Sequence, residues 1–171
     1  MVRVFWAALA IAALLFAACG DNSTGSGDSQ SPAGRSIGFE GCKTFDSAQT
    51  SGDDPTDQAC LDYVYDGQSV LNMTHVNAIF NCCPDSVGGH VRVEDNTIII
   101  DEAEWATMPC DCICPFDVDY EIVGLSPSVY TIRVNEIYLR DGEDILEFTV
   151  DLSEDPSGSF CVAREIPQVN P

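Results

Sequence analysis

The chain has 171 residues, 45% of them hydrophobic, and sets 28 acidic side chains against 7 basic ones for a formal charge of −21. The length suits a domain with its own core. The charge excludes the basic surface that nucleic acid needs to displace its counterions, and it argues against a face adsorbed on anionic lipid; a solvated, self-repelling surface accounts for it.

Arg3 precedes an unbroken apolar run of 15 residues, Val4 to Ala18. A membrane span needs about 20, so the run instead fits the charged and apolar regions of a signal peptide. It ends in "FAAC", Phe16 to Cys19. That segment resembles a bacterial lipobox, two small residues before a cysteine, although the family prefers Leu where Phe16 stands. The resemblance implies a signal peptide over residues 1–18, cleavage before Cys19, and acyl chains such as palmitate on that cysteine. Each buried CH₂ contributes roughly 0.8 kcal/mol, so two or more chains anchor a domain to a membrane. Gly20, where the family uses Asp for inner-membrane retention, points to the outer membrane of a cell envelope. Residues 20–36 hold only Ala33 as an apolar side chain. The expected organisation is therefore a lipidated, disordered tether over 19–36 and a single domain over 37–171.

From residue 60 onward the pattern is period two, the signal of strands. "LDYVYDGQSVLNMT" turns at Asp66-Gly67, "HVRVEDNTIII" at Asp95-Asn96 and "RDGED" at Asp141-Gly142. In "CDCICPFDVDYEIVGL", Phe116, Val118, Tyr120 and Ile122 share one parity, while Asp117, Asp119 and Glu121 share the other. That predicts a half-buried strand with an acidic outer face. "VYTIRVN" and "ILEFTVDL" alternate likewise, burying Tyr130, Ile132 and Val134, then Leu146, Phe148, Val150 and Leu152. The expectation is seven or eight short strands in an all-β, antiparallel β-sandwich. "GLSPSVYTIRV", Gly124 to Val134, resembles the turn into a late strand of immunoglobulin-like and fibronectin-like domains, with no Cys-Trp-Cys spacing beside it. The segment 42–60 reads as a long loop closed by cysteines at its two ends.

Beyond Cys19 there are eight cysteines: Cys42, Cys60, Cys82, Cys83, Cys110, Cys112, Cys114 and Cys161. An even number in an exported domain predicts a disulfide framework, though spacing alone does not choose the pairing. Cys110, Cys112 and Cys114 share the parity of Phe116, so a strand extended backward would turn all three sulfurs to the core. They would lie about 6.6 Å apart, too far to bond one another. Pro115 makes this an edge strand or a bulge. Cys82 and Cys83 in "NCCP" point to opposite faces of a strand and so reach different partners. The favoured pairing joins them to two of the three spaced cysteines, leaving Cys42, Cys60, Cys161 and the third for two further bridges. The alternatives are a thiolate site for zinc or copper(I), using Cys82, Cys83, Cys110, Cys112 and Cys114 with His75, or a redox pair. The alternating run is unlike the common zinc patterns, which are built from two C-x₂₋₄-C pairs, and a redox pair is more often C-x-x-C.

No phosphate loop or G-x-S-x-G elbow is present, and "DVD" and "DGED" lack a 12-residue calcium loop. His75, one of 2 histidines, reads first as a strand residue. No catalytic or cofactor-binding residue, and no cofactor, is assigned. "HVNAIFNCCPD", "CDCICPFDVDYEIVGL" and "FCVAR" together resemble exported bacterial lipoproteins with an NCC pair and a C-x-C-x-C run. The likeness covers residues 60 to 164 and implies one disulfide-rich β domain without an activity. The expected role is non-catalytic binding or bracing at the envelope. The partners are the membrane, through Cys19, and an envelope protein or glycan. The rivals are a zinc or copper protein and an enzyme whose site is assembled across strands.

Overall fold

Turn chemistry places the strands. Asp95 and Asn96 both have positive φ, 45° and 64°, the conformation of a two-residue hairpin matched to strand twist. The Asp66 carboxylate accepts the N–H groups of Gln68, Ser69 and Val70 at 2.8–2.9 Å beside Gly67 at φ 78°. A computed structural model describes residues 31–43 and 57–167. It contains strands β1 (Ala33–Glu40), β2 (Gln58–Tyr65), β3 (Val70–Asn81), β4 (Ser86–Glu94), β5 (Thr97–Trp105), β6 (Ile113–Val123), β7 (Val129–Asn135), β8 (Glu147–Asp151) and β9 (Ser157–Ala163). No helix occurs among the described residues.

All nine strands belong to one sheet, in the order β8-β7-β5-β4-β1-β6-β3-β2-β9. Every pairing is antiparallel except β5 with β7. The sheet rolls up on itself. Glu102 of β5 touches His75 of β3 and Tyr120 of β6 although β4 and β1 lie between them in the ladder. The two edges meet as well, with Phe148 of β8 stacked on Phe160 of β9 at 4.8 Å between ring centroids. No ladder joins β8 to β9 among the described residues, so the barrel is nearly closed, with a seam. This continuous sheet stands where two packed, immunoglobulin-like sheets were expected. A sandwich and a rolled sheet share one local signal, apolar alternation with frequent turns, and differ only in long-range pairing.

The expected parities hold. Phe116, Val118, Tyr120 and Ile122 point inward, as do Tyr130, Ile132 and Val134, and Leu146, Val150 and Leu152 are buried. On the outer face Asp117 pairs with Lys43 at 2.6 Å, Thr74 donates to Asp119 at 2.6 Å and Arg35 to Glu121 at 2.7 Å. A bulge in β3 between His75 and Ala78 resets the parity, so that Ala78 and Phe80 still face the core. Asn77 occupies it at φ 64°, its N–H donating to Asp117 at 3.1 Å and its amide to the Gln58 carbonyl at 2.9 Å.

Three expectations change. Residues 33–36, assigned by composition to the tether, form the start of β1. Gly34 sits so close to its neighbours that a Cβ there would lie 2.5 Å from Val91 Cγ1; the strand is held by its backbone ladder and by the lack of a side chain. Pro115 lies in a central strand and not at an edge. It pairs with Ile79 of β3, and the β1 ladder ends at Glu40–Asp117, so its missing N–H falls where β1 has stopped. Cys42 and Cys60 do not close a loop on each other, since each bridges elsewhere. The expected signal peptide, Cys19, most of the expected tether and residues 44–56 lie outside the described residues.

Candidate functional site

The ladder pairings make β1, β3, β5, β7 and β9 run the same way, and their C-terminal ends gather the chemistry-bearing residues at one end of the barrel. The disulfides are Cys42–Cys114, Cys82–Cys112, Cys83–Cys110 and Cys60–Cys161. The adjacent pair thus reaches two of the three spaced cysteines. Only Cys114 faces the core: β6 begins at Ile113, and Cys110 and Cys112 precede it on exposed, irregular backbone. Asn81 organises that crossing. Its Oδ1 accepts the N–H groups of Cys83 and Cys110, both at 3.0 Å, and its Nδ2 donates to the Cys110 carbonyl at 2.6 Å. Its own N–H is taken by Glu104 at 2.7 Å, whose other oxygen accepts from Tyr138 at 2.8 Å.

The sulfurs of Cys42, Cys82 and Cys114 lie within 4.8 Å of one another. All three are bridged, as are Cys83, Cys110 and Cys112. The thiolate is the form that ligates a soft metal, and a bridged sulfur has surrendered it.

Beneath this end the barrel interior holds five polar side chains among aromatic and aliphatic ones. His75 Nδ1 lies 2.7 Å from Glu102 Oε1, both side chains fully buried. Tyr120 donates to the same oxygen at 3.3 Å. His75 Nε2 is 3.9 Å from Glu136 Oε1, beyond hydrogen-bond reach, and among the described residues neither it nor Glu102 Oε2 has a hydrogen-bond partner. Glu136, just past β7, is paired with Arg164, just past β9. Arg164 also donates to the Asp144 carbonyl at 2.6 Å and the Ala163 carbonyl at 3.0 Å. It therefore ties the tail of β9 to the β7–β8 connection across one end of the seam.

Burial is the largest influence on His75 and disfavours its charge. The Glu102 carboxylate, by field and hydrogen bond, and then Glu136 outweigh it, against a smaller opposing push from Arg164, so the imidazole is held above its ordinary value. With the imidazole protonated, His75 and Arg164 face Glu102 and Glu136 within one buried cluster. Burial, followed by Glu102, raises the Tyr120 hydroxyl well above the usual phenol range, leaving it a neutral donor.

The sign of the pH dependence follows. A raised imidazole pKa gives stability that is complete below its unfolded value, about 6.5, and is lost as pH rises through the folded value. Urea midpoints measured from pH 6 to pH 9 are expected to fall as His75 releases its proton. His75→Gln should lack that component of the slope; an identical slope in both proteins would place the proton elsewhere.

Chemically the dyad is able to hold and pass a proton, but it is sealed. The hollow that reaches Glu136 and Arg164, between Tyr138 and Pro167, measures ≈ 10 Å³, about one water. The site defines a disulfide-braced, nearly closed β barrel with a buried cluster of ionisable side chains. No family model, curated protein or solved structure matches the chain.

Sequence reasoning missed this cluster, although two of its five members carried a signal. Glu102 shares the parity of Ile98 and Ile100, and His75 that of Leu71 and Met73, so each is a polar residue in an apolar row. Glu136 and Arg164 lie just beyond strand ends, where no periodicity reaches them. His90, the other histidine, is exposed on β4.

Proposed function

We propose that this is an exported, lipid-anchored binding module: a β barrel carried on a tether from acylated Cys19 and displayed at the outer membrane of a bacterial envelope. The observation that carries the reading is the pairing of all eight domain cysteines in disulfides, chemistry that persists outside the reducing cytosol. The lipobox-like "FAAC" supplies the anchor. A binding or bracing role is favoured over catalysis because the titratable interior has no room for a substrate. Its ligand, an envelope protein or glycan, would therefore meet the outer surface or the seam.

Palmitate labelling of cells tests the anchor. The full chain is expected to take the label and sediment with membranes, and Cys19→Ser to lose the label and appear in the soluble envelope fraction. Label retained in Cys19→Ser, or absent from the unaltered chain, would overturn the anchor.

A further inference from the structure

Among the described residues the seam presents two strand edges with no ladder partner, and the alternation of backbone groups fixes the polarity of each. Val134 N–H donates to the Leu146 carbonyl and Leu152 N–H to the Ser128 carbonyl, both at 3.0 Å. In the alternating antiparallel pattern this turns the backbone groups of Phe148 and Val150 toward β7 and those of Glu147, Thr149 and Asp151 toward the seam. The Glu147 N–H is used by Ile145, and the Asp151 carbonyl by Glu154 and Asp155. Among the described residues that leaves the Glu147 carbonyl, both groups of Thr149 and the Asp151 N–H facing outward as an open ladder. On β9, Arg164 N–H to Asp57 and Tyr65 N–H to Pro156 likewise aim Ser159 at the seam.

A hollow of ≈ 480 Å³ lies there, lined by Glu147, Phe148, Thr149, Val150 and Asp151 together with Tyr63, Asp155, Ser159 and Phe160. Successive strand residues point to opposite faces, so a hollow touching five in a row follows the edge of β8 and not one of its faces. Its chemistry is two-sided. Glu147, Asp151 and Asp155 give three carboxylates, with Arg133 as the cation beside Glu147 at 3.5 Å. The inner side is floored by the rings of Tyr63, Phe148 and Phe160.

We propose that the seam is a strand-addition site for an extended basic peptide whose side chains alternate between cationic and apolar. Added beside β8, such a segment completes the open ladder through its main chain. It sends every second side chain to the outer carboxylates and the others onto the ring floor, the mode in which backbone bonds give affinity and alternate side chains give selection. This rests on the domain being a binding module, and it names the partner class of that module.

The test uses the mature full chain carrying Cys19→Ser with its disulfides intact, and two acetylated, amidated probes: Lys-Val-Lys-Phe-Lys-Val-Lys and the same peptide with Glu for Lys. The basic probe is expected to bind about tenfold more tightly than the acidic one, and to slow amide exchange at Thr149 and Asp151. Thr149→Pro removes one seam-facing donor from an edge strand, a position that tolerates proline, and should weaken the basic probe by about tenfold or more. Should that variant fail to fold, Glu147→Lys/Asp155→Lys is expected to reverse the preference between probes. Neither peptide binding, equal binding by Thr149→Pro, or protection elsewhere would overturn the site. Self-association abolished by Thr149→Pro would assign the edge to a second copy and overturn the peptide. Palmitate labelling at Cys19 reads the anchor without reference to the seam, so the two proposals fail separately.

Discussion

Arg164→Met is expected to lower the stability of the domain by about 3–5 kcal/mol, the cost of removing one partner of a buried ion pair. The Arg164 and Glu136 side chains are 3% and 6% exposed, so the carboxylate left behind cannot be rehydrated without opening the barrel. The substitution also deprives the Asp144 carbonyl of its donor and unties β9 from the β7–β8 connection at one end of the seam. Most of the loss belongs to the orphaned charge and not to the pair itself. Arg164→Met/Glu136→Leu should therefore recover the greater part of it, since well-packed apolar residues often replace a buried pair at no cost. Urea midpoints of the two variants, disulfides intact, decide the matter. A single-variant loss below about 1 kcal/mol would be that of a solvent-exposed pair. The titration of His75 gives a second readout: Arg164 opposes its charge, so Arg164→Met should hold the imidazole protonated to higher pH.

Strands were legible in the sequence because alternation is a local property. The row from Phe116 to Ile122 needs only the pleat to explain it, and its buried and half-buried residues fall as the parity requires. Closure was not legible, because nothing local distinguishes a strand that begins a second sheet from one that continues a rolled first. The parallel contact of β7 with β5, for example, leaves no mark on either segment. Where a strand starts also matters more than its period. Cys110 and Cys112 share the parity of Cys114, but both precede β6 on irregular backbone, held at Cys110 by Asn81, so parity says nothing about where they point. Of the interior cluster, Glu102 and His75 break an apolar row and were open to reading. Glu136 and Arg164 owe their burial to segments that meet only after the barrel has closed.

Loss of the Cys60–Cys161 bridge is expected to cost far more than loss of Cys83–Cys110, although both are single disulfides. Cys60 and Cys161 are direct cross-strand partners on β2 and β9, separated by 101 residues. Closing a loop of that size removes about 4.7 kcal/mol of freedom from the unfolded chain in the chain-entropy model. The Cys82–Cys112 bridge short-cuts that loop by roughly 30%, which reduces the figure only to about 4.4 kcal/mol, since the dependence is logarithmic. Cys83–Cys110, by contrast, spans 27 residues, but Cys82–Cys112 beside it already holds the same two segments together. Only a few residues then remain to be closed, and Cys83→Ala/Cys110→Ala should cost under about 2 kcal/mol. Urea midpoints of the two double-alanine variants test the contrast. Equal losses would show that the bridges act through folded-state packing and not by restricting the unfolded chain. There is a consequence for the seam as well. Among the described residues β2 is the only ladder neighbour of β9, and Phe160 of β9 stacks on Phe148 across the gap. The bridge therefore holds in place one wall of the groove. In Cys60→Ala/Cys161→Ala, amide exchange should quicken along β9 before it does in β3 or β6, and the basic probe should bind more weakly even where the rest of the barrel stays folded.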